Sequence, residues 1–320
     1  MATMKLGGVS AEELVWKRYR VWAKTARTLK ATHERSYGWV SVLSILGAIA
    51  GIIAQQVVKP EDPVPDAVKL NQWVAGMSAL CVAVSTYLAS QLLGVERETR
   101  WVKARGIAEA IKSQLYLFWM GVEPYQKSAA GPATPEQRLL EKVQKLEKAG
   151  AGPDREQLTE AELKASPAKA TRTIDEYITL RIEEQINKFY KPKAMAHLNK
   201  VRRYRVVGIV LGLIGTLLGV FGATESGAQM VAWVAVVSTA AMGLTSFATA
   251  GRHQYLVSTY QAAAERLEYL LAVWSSSKKT PEDERRLVLD TEAMFRAENS
   301  AWIAEASTRV AAPEEKKPES

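Results

Sequence analysis

Charged residues are absent from four long stretches of the chain and frequent everywhere else. The charge-free runs cover residues 37–58, 72–94, 206–224 and 226–251. Each run can supply the ~20 apolar residues that an α-helix needs to cross a hydrocarbon core of about 30 Å. A buried helix of a large soluble protein can resemble one such run. Four runs in two pairs, each pair flanked by charge, favour membrane-spanning helices.

The charge pattern divides the chain into eight segments. They are predicted as a cytoplasmic amphipathic helix (1–36), a first transmembrane hairpin (37–94), a cytoplasmic helix (95–125), a charged connector of low order (126–171), a second cytoplasmic amphipathic helix (172–205), a second transmembrane hairpin (206–251), further cytoplasmic helices (252–308) and a disordered tail (309–320). We therefore predict an all-α membrane protein with four transmembrane helices and extended cytoplasmic helices.

Two helix starts can be located outside the hairpins. Thr134 followed by Pro135 predicts one short charged helix inside the connector. Thr280 followed by Pro281 predicts the start of another, with acidic residues in its first turn. We expect this last helix to pack on the helix that contains Glu265 and Tyr269.

The two hairpins are repeats of one unit. The segments ILGAIAGII, which begins at Ile45, and IGTLLGVFG, which begins at Ile214, each carry two glycines one helical turn apart. In the second helix of each pair, QWVAGMSALCVAVSTYLAS aligns with AWVAVVSTAAMGLTSFAT when Trp73 is set on Trp233. An even number of spans separates corresponding points, so the repeats are parallel and differ from the inverted repeats of many transporters.

Basic residues indicate how the helices are oriented. Lys and Arg are concentrated before the first and third spans, in residues 1–36 and 188–205, and are sparse between the spans of each hairpin. This distribution predicts that both termini and the middle segment face the cytoplasm. The net charge of +8 is then explained by juxtamembrane residues near anionic lipid, and nucleic acid is not an expected partner.

The paired glycines are expected to mark helix contacts. Glycine costs about 1 kcal/mol relative to alanine in a soluble helix, whereas in lipid small residues allow two helix backbones to approach closely. Gly47 and Gly51 in the first hairpin, with Gly215 and Gly219 in the second, are therefore predicted as helix-packing residues.

Hydroxyl groups recur on the second helix of each hairpin. Ser78 and Ser85 are seven residues apart, and the aligned Ser238 and Thr245 keep that spacing, which places each pair on one helix face. These hydroxyls either bond to backbone carbonyls and neighbouring helices or line an uncharged, water-filled path in an assembly. The four residues are candidate pore-lining positions.

Residues that would support catalysis or ion pumping are not recognised in the sequence. The spans contain no ionisable group of the kind that proton relays and voltage sensors need. One cysteine, Cys81, and three separate histidines predict no metal site, and no phosphate-binding glycine loop is present. We predict no enzyme activity, cofactor or catalytic residue. Five polar residues of the cytoplasmic helices could bind a ligand or a partner, but surface ion pairs or interface contacts are favoured for each of them: Glu109, Glu265, Glu292, Glu298 and Asn299.

Several segments together resemble the SLATT family, which comprises two-span effector domains of bacterial conflict systems. In the first half these are WKRYRVWAKTA, the glycine hairpin and TRWVKARGIAEAIKSQLYLF; in the second half they are FYKPKAMAHLNKVRRYR, the second hairpin and RAENSAW. The arrangement is similar to two divergent SLATT units in tandem. The resemblance implies a homo-oligomer that forms an ion-permeable pore in bacterial defence after a nucleotide or partner signal.

Two other functions compete with a pore. The first is a membrane-anchored scaffold that recruits a partner through its cytoplasmic helices and conducts nothing. The second is a small transporter, which the lack of intramembrane charge disfavours.

Overall fold

The computed structural model describes residues 10–57, 65–92, 95–126, 133–149, 155–165, 170–224, 230–250 and 252–311. All regular structure within these residues is helical and none of them is in a β-strand, so the predicted all-α class is confirmed. The helices are α1 (Ala11–Val57), α2 (Pro65–Leu92), α3 (Val95–Trp119), α4 (Pro135–Ala149), α5 (Glu160–Ala165), α6 (Ile174–Tyr177), α7 (Lys191–Gly222), α8 (Val231–Ala250), α9 (His253–Ser276) and α10 (Pro281–Ala311).

A π-helical segment joins α6 to α7. It consists of two π-helical turns, Ile178–Glu183 and Gln185–Tyr190, and α7 continues directly from the second. π-Helical turns are uncommon and often coincide with functional positions, because they shift the side chains that follow to a different face.

The chain divides into two compact units. The charged unit comprises Met1–His33, Val95–Tyr190 and Ala262–Ser320, and the apolar unit comprises Glu34–Gly94 and Lys191–Gln261. Each unit takes its residues from both halves of the sequence. The two halves are therefore intertwined within each unit and do not form separate domains.

The core of the charged unit is built on α3. One face of α3 is fully buried at Ala104, Ile111 and Leu115, positions that lie seven and four residues apart as a helical face requires. Helix α10 packs along α3, and α4 also packs on α3. The expectation that α10 packs on α9 stays a prediction, and Glu265 and Tyr269 are themselves exposed on α9.

Helix α10 begins at the predicted position. The Asp283 backbone N–H donates to Thr280 Oγ1 at 3.2 Å, and the Thr280 backbone N–H donates to Asp283 Oδ2 at 3.0 Å. These reciprocal bonds satisfy two backbone donors that a helix start would otherwise leave unpaired.

Helix α4 differs from the expectation of a connector of low order. Its N-terminus is capped by Thr134, whose hydroxyl accepts from the Gln137 backbone N–H at 3.3 Å. Leu139, Val143 and Glu147, four residues apart, are all buried. The short helix was predicted correctly. It is not part of a loosely ordered connector, however, because its buried face packs residues 135–149 into the core. The glycine- and proline-containing residues 150–153, where the sequence predicts that this helix ends, lie outside the described residues, as do the C-terminal residues 312–320.

The apolar unit carries the long hydrophobic helices. Three described helical stretches are long and apolar enough to cross a membrane: Ala11–Ala54, Leu70–Gln91 and Ile174–Gly222. Only 6% of the apolar window is buried in the second and third of these, so lipid or another chain must cover the rest. The described apolar part of α8, Trp233–Thr245, is shorter. Four complete spans therefore remain a prediction.

Candidate functional site

The first hairpin is held by a close approach of α1 and α2 at glycine. A Cβ atom added at Gly47 would lie 3.0 Å from Val82 Cγ2 and 3.3 Å from Cys81 Cβ, and one added at Gly51 would lie 3.0 Å from Ser78 Oγ. The Ser78 hydroxyl donates to the Gly47 carbonyl oxygen at 2.7 Å. At this point Ser78 binds the neighbouring helix, and the absence of a side chain on Gly47 leaves room for the bond.

The second hairpin is packed less closely at the aligned glycines. A Cβ atom added at Gly215 would be 3.6 Å from Val237 Cγ1, an ordinary van der Waals distance. At Gly219 an added Cβ would meet no described atom within 4 Å. The packing role of Gly219 remains a prediction, since the described residues contain no partner for it.

The remaining hydroxyl positions differ in exposure. Ser85 is buried and donates to the Val82 carbonyl oxygen at 2.9 Å. Thr245 is exposed on α8 and donates to the Ala241 carbonyl oxygen at 2.9 Å, while Ser238 is also exposed. Hydroxyls that donate to a carbonyl oxygen of their own helix are common in membrane helices. Such bonds are compatible both with helix packing and with a water-filled path. The pore-lining role of these residues remains a prediction.

A buried ion pair lies at the centre of the charged unit. Arg181 and Glu292 side chains are both 0% exposed. Arg181 Nε donates to Glu292 Oε1 at 2.8 Å and Nη2 donates to Oε2 at 2.9 Å. This bidentate arrangement matches the planar guanidinium to the carboxylate. The ion pair joins the first π-helical turn, which contains Arg181, to α10, which contains Glu292.

Aromatic rings and a tyrosine hydroxyl complete the surroundings of this pair. The Tyr177 hydroxyl donates to Glu292 Oε1 at 3.0 Å. Arg181 Cζ lies 4.8 Å from the Tyr116 ring centroid and 4.1 Å from the Phe295 ring centroid, both favourable cation–π distances. We name the set Arg181, Glu292, Tyr177, Tyr116 and Phe295 the arginine cluster.

The arginine cluster is electrostatically coupled to α3. Arg181 Nη1 lies 4.0 Å from Glu109 Oε2, at the limit of an ion pair. Burial by itself would raise the pKa of Glu109, but the nearby cations Lys112 and Arg181 outweigh it and lower that pKa. Burial lowers the pKa of Lys112, and Arg181 lowers it further. Glu109 is therefore ionised at neutral pH and supplies a second negative charge beside the guanidinium.

Two further contacts fix the middle of α10. The Tyr190 hydroxyl donates to the Glu298 carboxylate, and Asn299 Nδ2 donates to the Gly106 carbonyl oxygen at 2.9 Å. Glu292, Glu298 and Asn299 were all predicted as ion-pair or interface residues. Each of them binds within the chain, and Glu292 is fully buried instead of lying on the surface.

A second carboxylate joins α4 to α1. Glu147 is 7% exposed and pairs with the Arg18 guanidinium. The Trp22 indole N–H donates to Glu147 Oε1 at 3.0 Å, and Arg155 Cζ lies 4.9 Å from the Trp22 ring centroid. Trp22 and Tyr190 are 168 positions apart, the same offset that separates Gly47 from Gly215 in the sequence repeat. Each of these two aromatic residues donates to a carboxylate on a helix from another part of the chain.

Replacing Glu147 with alanine is expected to loosen α4 by about 1–3 kcal/mol, because the buried Trp22 indole N–H and the Arg18 guanidinium lose their acceptor. Amide hydrogen exchange of residues 135–149 should become faster while exchange in α3 changes little. Glu141→Ala is the matched control, since Glu141 is exposed on the same helix. Equal exchange in the two variants would contradict this role of Glu147.

Two histidines that are far apart in the sequence meet in the apolar unit. His197 Nδ1 lies 2.8 Å from His253 Nδ1, and the Tyr204 ring stacks on His253 with centroids 5.6 Å apart. Burial and the nearby Lys200 lower the pKa of His253, against an opposing effect of Glu34. Among the described residues, no group of three or more His, Cys, Asp or Glu side chains could hold a metal ion.

These features define a class of protein: an all-helical membrane protein whose apolar hairpins accompany a helical unit fixed by buried carboxylates. Residues 177–302 match the SLATT model described as "SMODS and SLOG-associating 2TM effector domain 1", and residues 18–132 match a family described as "Protein of unknown function (DUF4231)". Residues 177–302 are therefore similar to a SLATT domain, and the two successive matches agree with a tandem of SLATT-like units, as the sequence resemblance predicted. No match was found among curated proteins or among solved structures.

The arginine cluster joins the two ends of the matched SLATT segment. Tyr177 and Arg181 lie at its start, and Glu292 and Phe295 lie near its end. Sequence reasoning missed Arg181 because the run ITLRIEE is indistinguishable from an exposed charged helix. A single arginine among apolar positions was the available signal.

Proposed function

We propose that this protein is an oligomeric, multi-pass membrane effector that forms an ion-permeable pore without enzymatic activity. Both termini lie in the cytoplasm in this proposal. The exposed apolar surface of the hairpin helices carries the argument: Leu80, Leu213 and Leu217 are 55%, 60% and 58% exposed within the single chain. Lipid covers part of such a surface, and other copies of the hairpins cover the rest.

The uncharged character of the hairpins supports a pore over a pump or exchanger. Intramembrane ionisable residues, which proton and ion relays use, are absent from the charge-free runs. Exposed hydroxyls such as Thr245 and Ser238 supply polar groups for an uncharged path. The description of the matching family as an effector domain agrees with a membrane-perturbing role in bacterial defence.

The trigger acts on the charged unit in this proposal. A nucleotide or a protein partner would bind there and change the packing of α10 or α4, because a buried carboxylate holds each of these helices: Glu292 in α10 and Glu147 in α4. Such a signal reaches the membrane only if it favours one of two arrangements of the helices.

Ion flux through liposomes that contain the purified full-length protein tests the proposal, together with its oligomer size in detergent. Flux from a defined oligomer would support a pore. A sealed bilayer at every protein-to-lipid ratio, with and without cell extract as a source of trigger, would favour the scaffold, whose helices recruit partners and conduct nothing.

Thr245→Val is expected to change the conductance or ion selectivity of the flux, because it removes an exposed hydroxyl from the proposed path while keeping the side-chain shape. Thr239→Val is the matched control: Thr239 is also exposed on α8 and bonds to its own helix, but it lies on another face. We expect a change of about twofold or more with Thr245→Val only. Identical flux through both variants and the wild type would remove Thr245 from the pore lining.

A further inference from the structure

A pocket of about 440 Å³ lies in the apolar unit where the charge-free runs of α7 and α8 end. Two arginines line it: Arg205 precedes the charge-free run of α7, and Arg252 follows that of α8. Among the described residues that line it, none is a carboxylate. We name it the cationic pocket for its two arginines; it lies at the boundary between the charge-free runs of α7 and α8 and the charged residues next to them.

Arg252 is held in an unusual conformation at this pocket. Its backbone φ is 47°, in the left-handed region that residues other than glycine rarely adopt. The guanidinium carbon lies 4.3 Å from the ring centroid of Tyr255, which also lines the pocket. Residues held in strained backbone conformations cluster at functional sites and ligand clamps.

The cationic pocket adjoins an apolar cleft of about 700 Å³. Tyr204 and Leu244 line both cavities. The other residues that line the cleft come from the charge-free runs, among them Val207 and Leu211. One ligand can therefore place a charged group between the arginines and a hydrocarbon chain in the cleft.

We propose that this composite cavity binds an anionic phospholipid, with Arg205 and Arg252 contacting the phosphate and the cleft holding an acyl chain. A soluble phosphate compound shares the headgroup chemistry but would leave the apolar cleft unfilled. Two arginines suit a phosphate because each planar guanidinium group can donate two hydrogen bonds to phosphate oxygens. The site does not depend on pore formation and would exist equally in a scaffold.

The test uses full-length protein in phosphatidylcholine nanodiscs that contain a small fraction of spin-labelled phosphatidylglycerol or spin-labelled phosphatidylcholine. The relative association of the two probes gives the preference for the anionic lipid. Arg205→Gln is expected to reduce this preference about fivefold, since each basic residue near the membrane surface contributes about 1 kcal/mol. Arg205→Lys should retain most of the preference because it keeps the charge.

Arg203→Gln is the charge-matched control, because Arg203 is exposed two residues away on another face of α7 and does not line the pocket. We expect it to change the preference less than twofold. Equal losses in Arg203→Gln and Arg205→Gln would show that diffuse positive charge attracts the lipid and would overturn a defined site.

A second pair of variants tests the cavity without changing charge. Gly208 lines the pocket, and an added Cβ at Gly208 or at Gly212 meets no described atom within 4 Å. Gly208→Leu is expected to fill the pocket and lower the preference about as much as Arg205→Gln, while Gly212→Leu leaves it unchanged. An unaltered preference in Gly208→Leu would contradict the proposal. So would displacement of the lipid probe by millimolar inorganic phosphate, which would identify a soluble phosphate compound as the occupant.

Discussion

Glu292→Ala is expected to lower the free energy of unfolding of the charged unit by about 3–5 kcal/mol, the range for breaking a buried ion pair by removing one partner. Arg181 would stay buried with its charge uncompensated, because Glu109 lies only at the 4.0 Å limit of an ion pair. The Tyr177 hydroxyl would lose its acceptor as well. Urea titration of the full-length protein in detergent, followed by tryptophan fluorescence, measures the loss.

Glu282→Ala is the control for this prediction, since Glu282 is an exposed carboxylate of the same helix that pairs with Arg285 at the surface. It should cost less than about 1 kcal/mol. The double variant Arg181→Met with Glu292→Leu should recover much of the stability, because buried ion pairs can be replaced by apolar groups of similar volume. An effect of Glu292→Ala no larger than that of Glu282→Ala would show that the pair does not stabilise the unit.

Gly47→Leu is expected to separate the helices of the first hairpin. A branched side chain cannot fit where a Cβ atom alone would already lie 3.0 Å from Val82, and overpacking of this kind costs about 1–3 kcal/mol. The Ser78 hydroxyl would also lose the Gly47 carbonyl as an acceptor. The thermal transition of the protein in detergent should fall, and the oligomer size should be measured in the same sample.

Gly76→Leu is the matched control for Gly47→Leu. Gly76 lies on α2 of the same hairpin, and an added Cβ there meets no described atom within 4 Å. It should leave the thermal transition nearly unchanged. If both leucines lowered the transition equally, general intolerance of bulky residues in the span would explain the result, and the specific contact at Gly47 would be rejected.

The helical fold and its apolar elements could be predicted from the sequence because they depend on local patterns. Long charge-free runs indicate membrane helices, and Thr134 and Thr280 mark helix starts through bonds that span three residues. The small residues at Gly47 and Gly51 likewise indicated where helices approach. These inferences require no knowledge of which distant segment is the partner.

The partners of the long-range contacts could not be predicted in the same way. Arg181 and Glu292 are separated by the whole second hairpin, and each lies in a run that resembles an exposed charged helix. Only the packed structure shows that α10 covers α3. Helix pairing depends on complementary surfaces from distant segments, and a single sequence does not reveal which surfaces match.

The bidentate bond between Arg181 and Glu292 restricts how the second hairpin can enter a membrane during biosynthesis. Both residues must reach the same aqueous compartment to form the bond, so the polypeptide between them has to cross the bilayer an even number of times. A molecule in which α7 crossed and α8 failed to return would leave Glu292 on the far side, with Arg181 lacking its carboxylate. In the proposed topology, the bond can therefore form when both helices of the hairpin have crossed the bilayer, and it cannot form when only one of them has crossed.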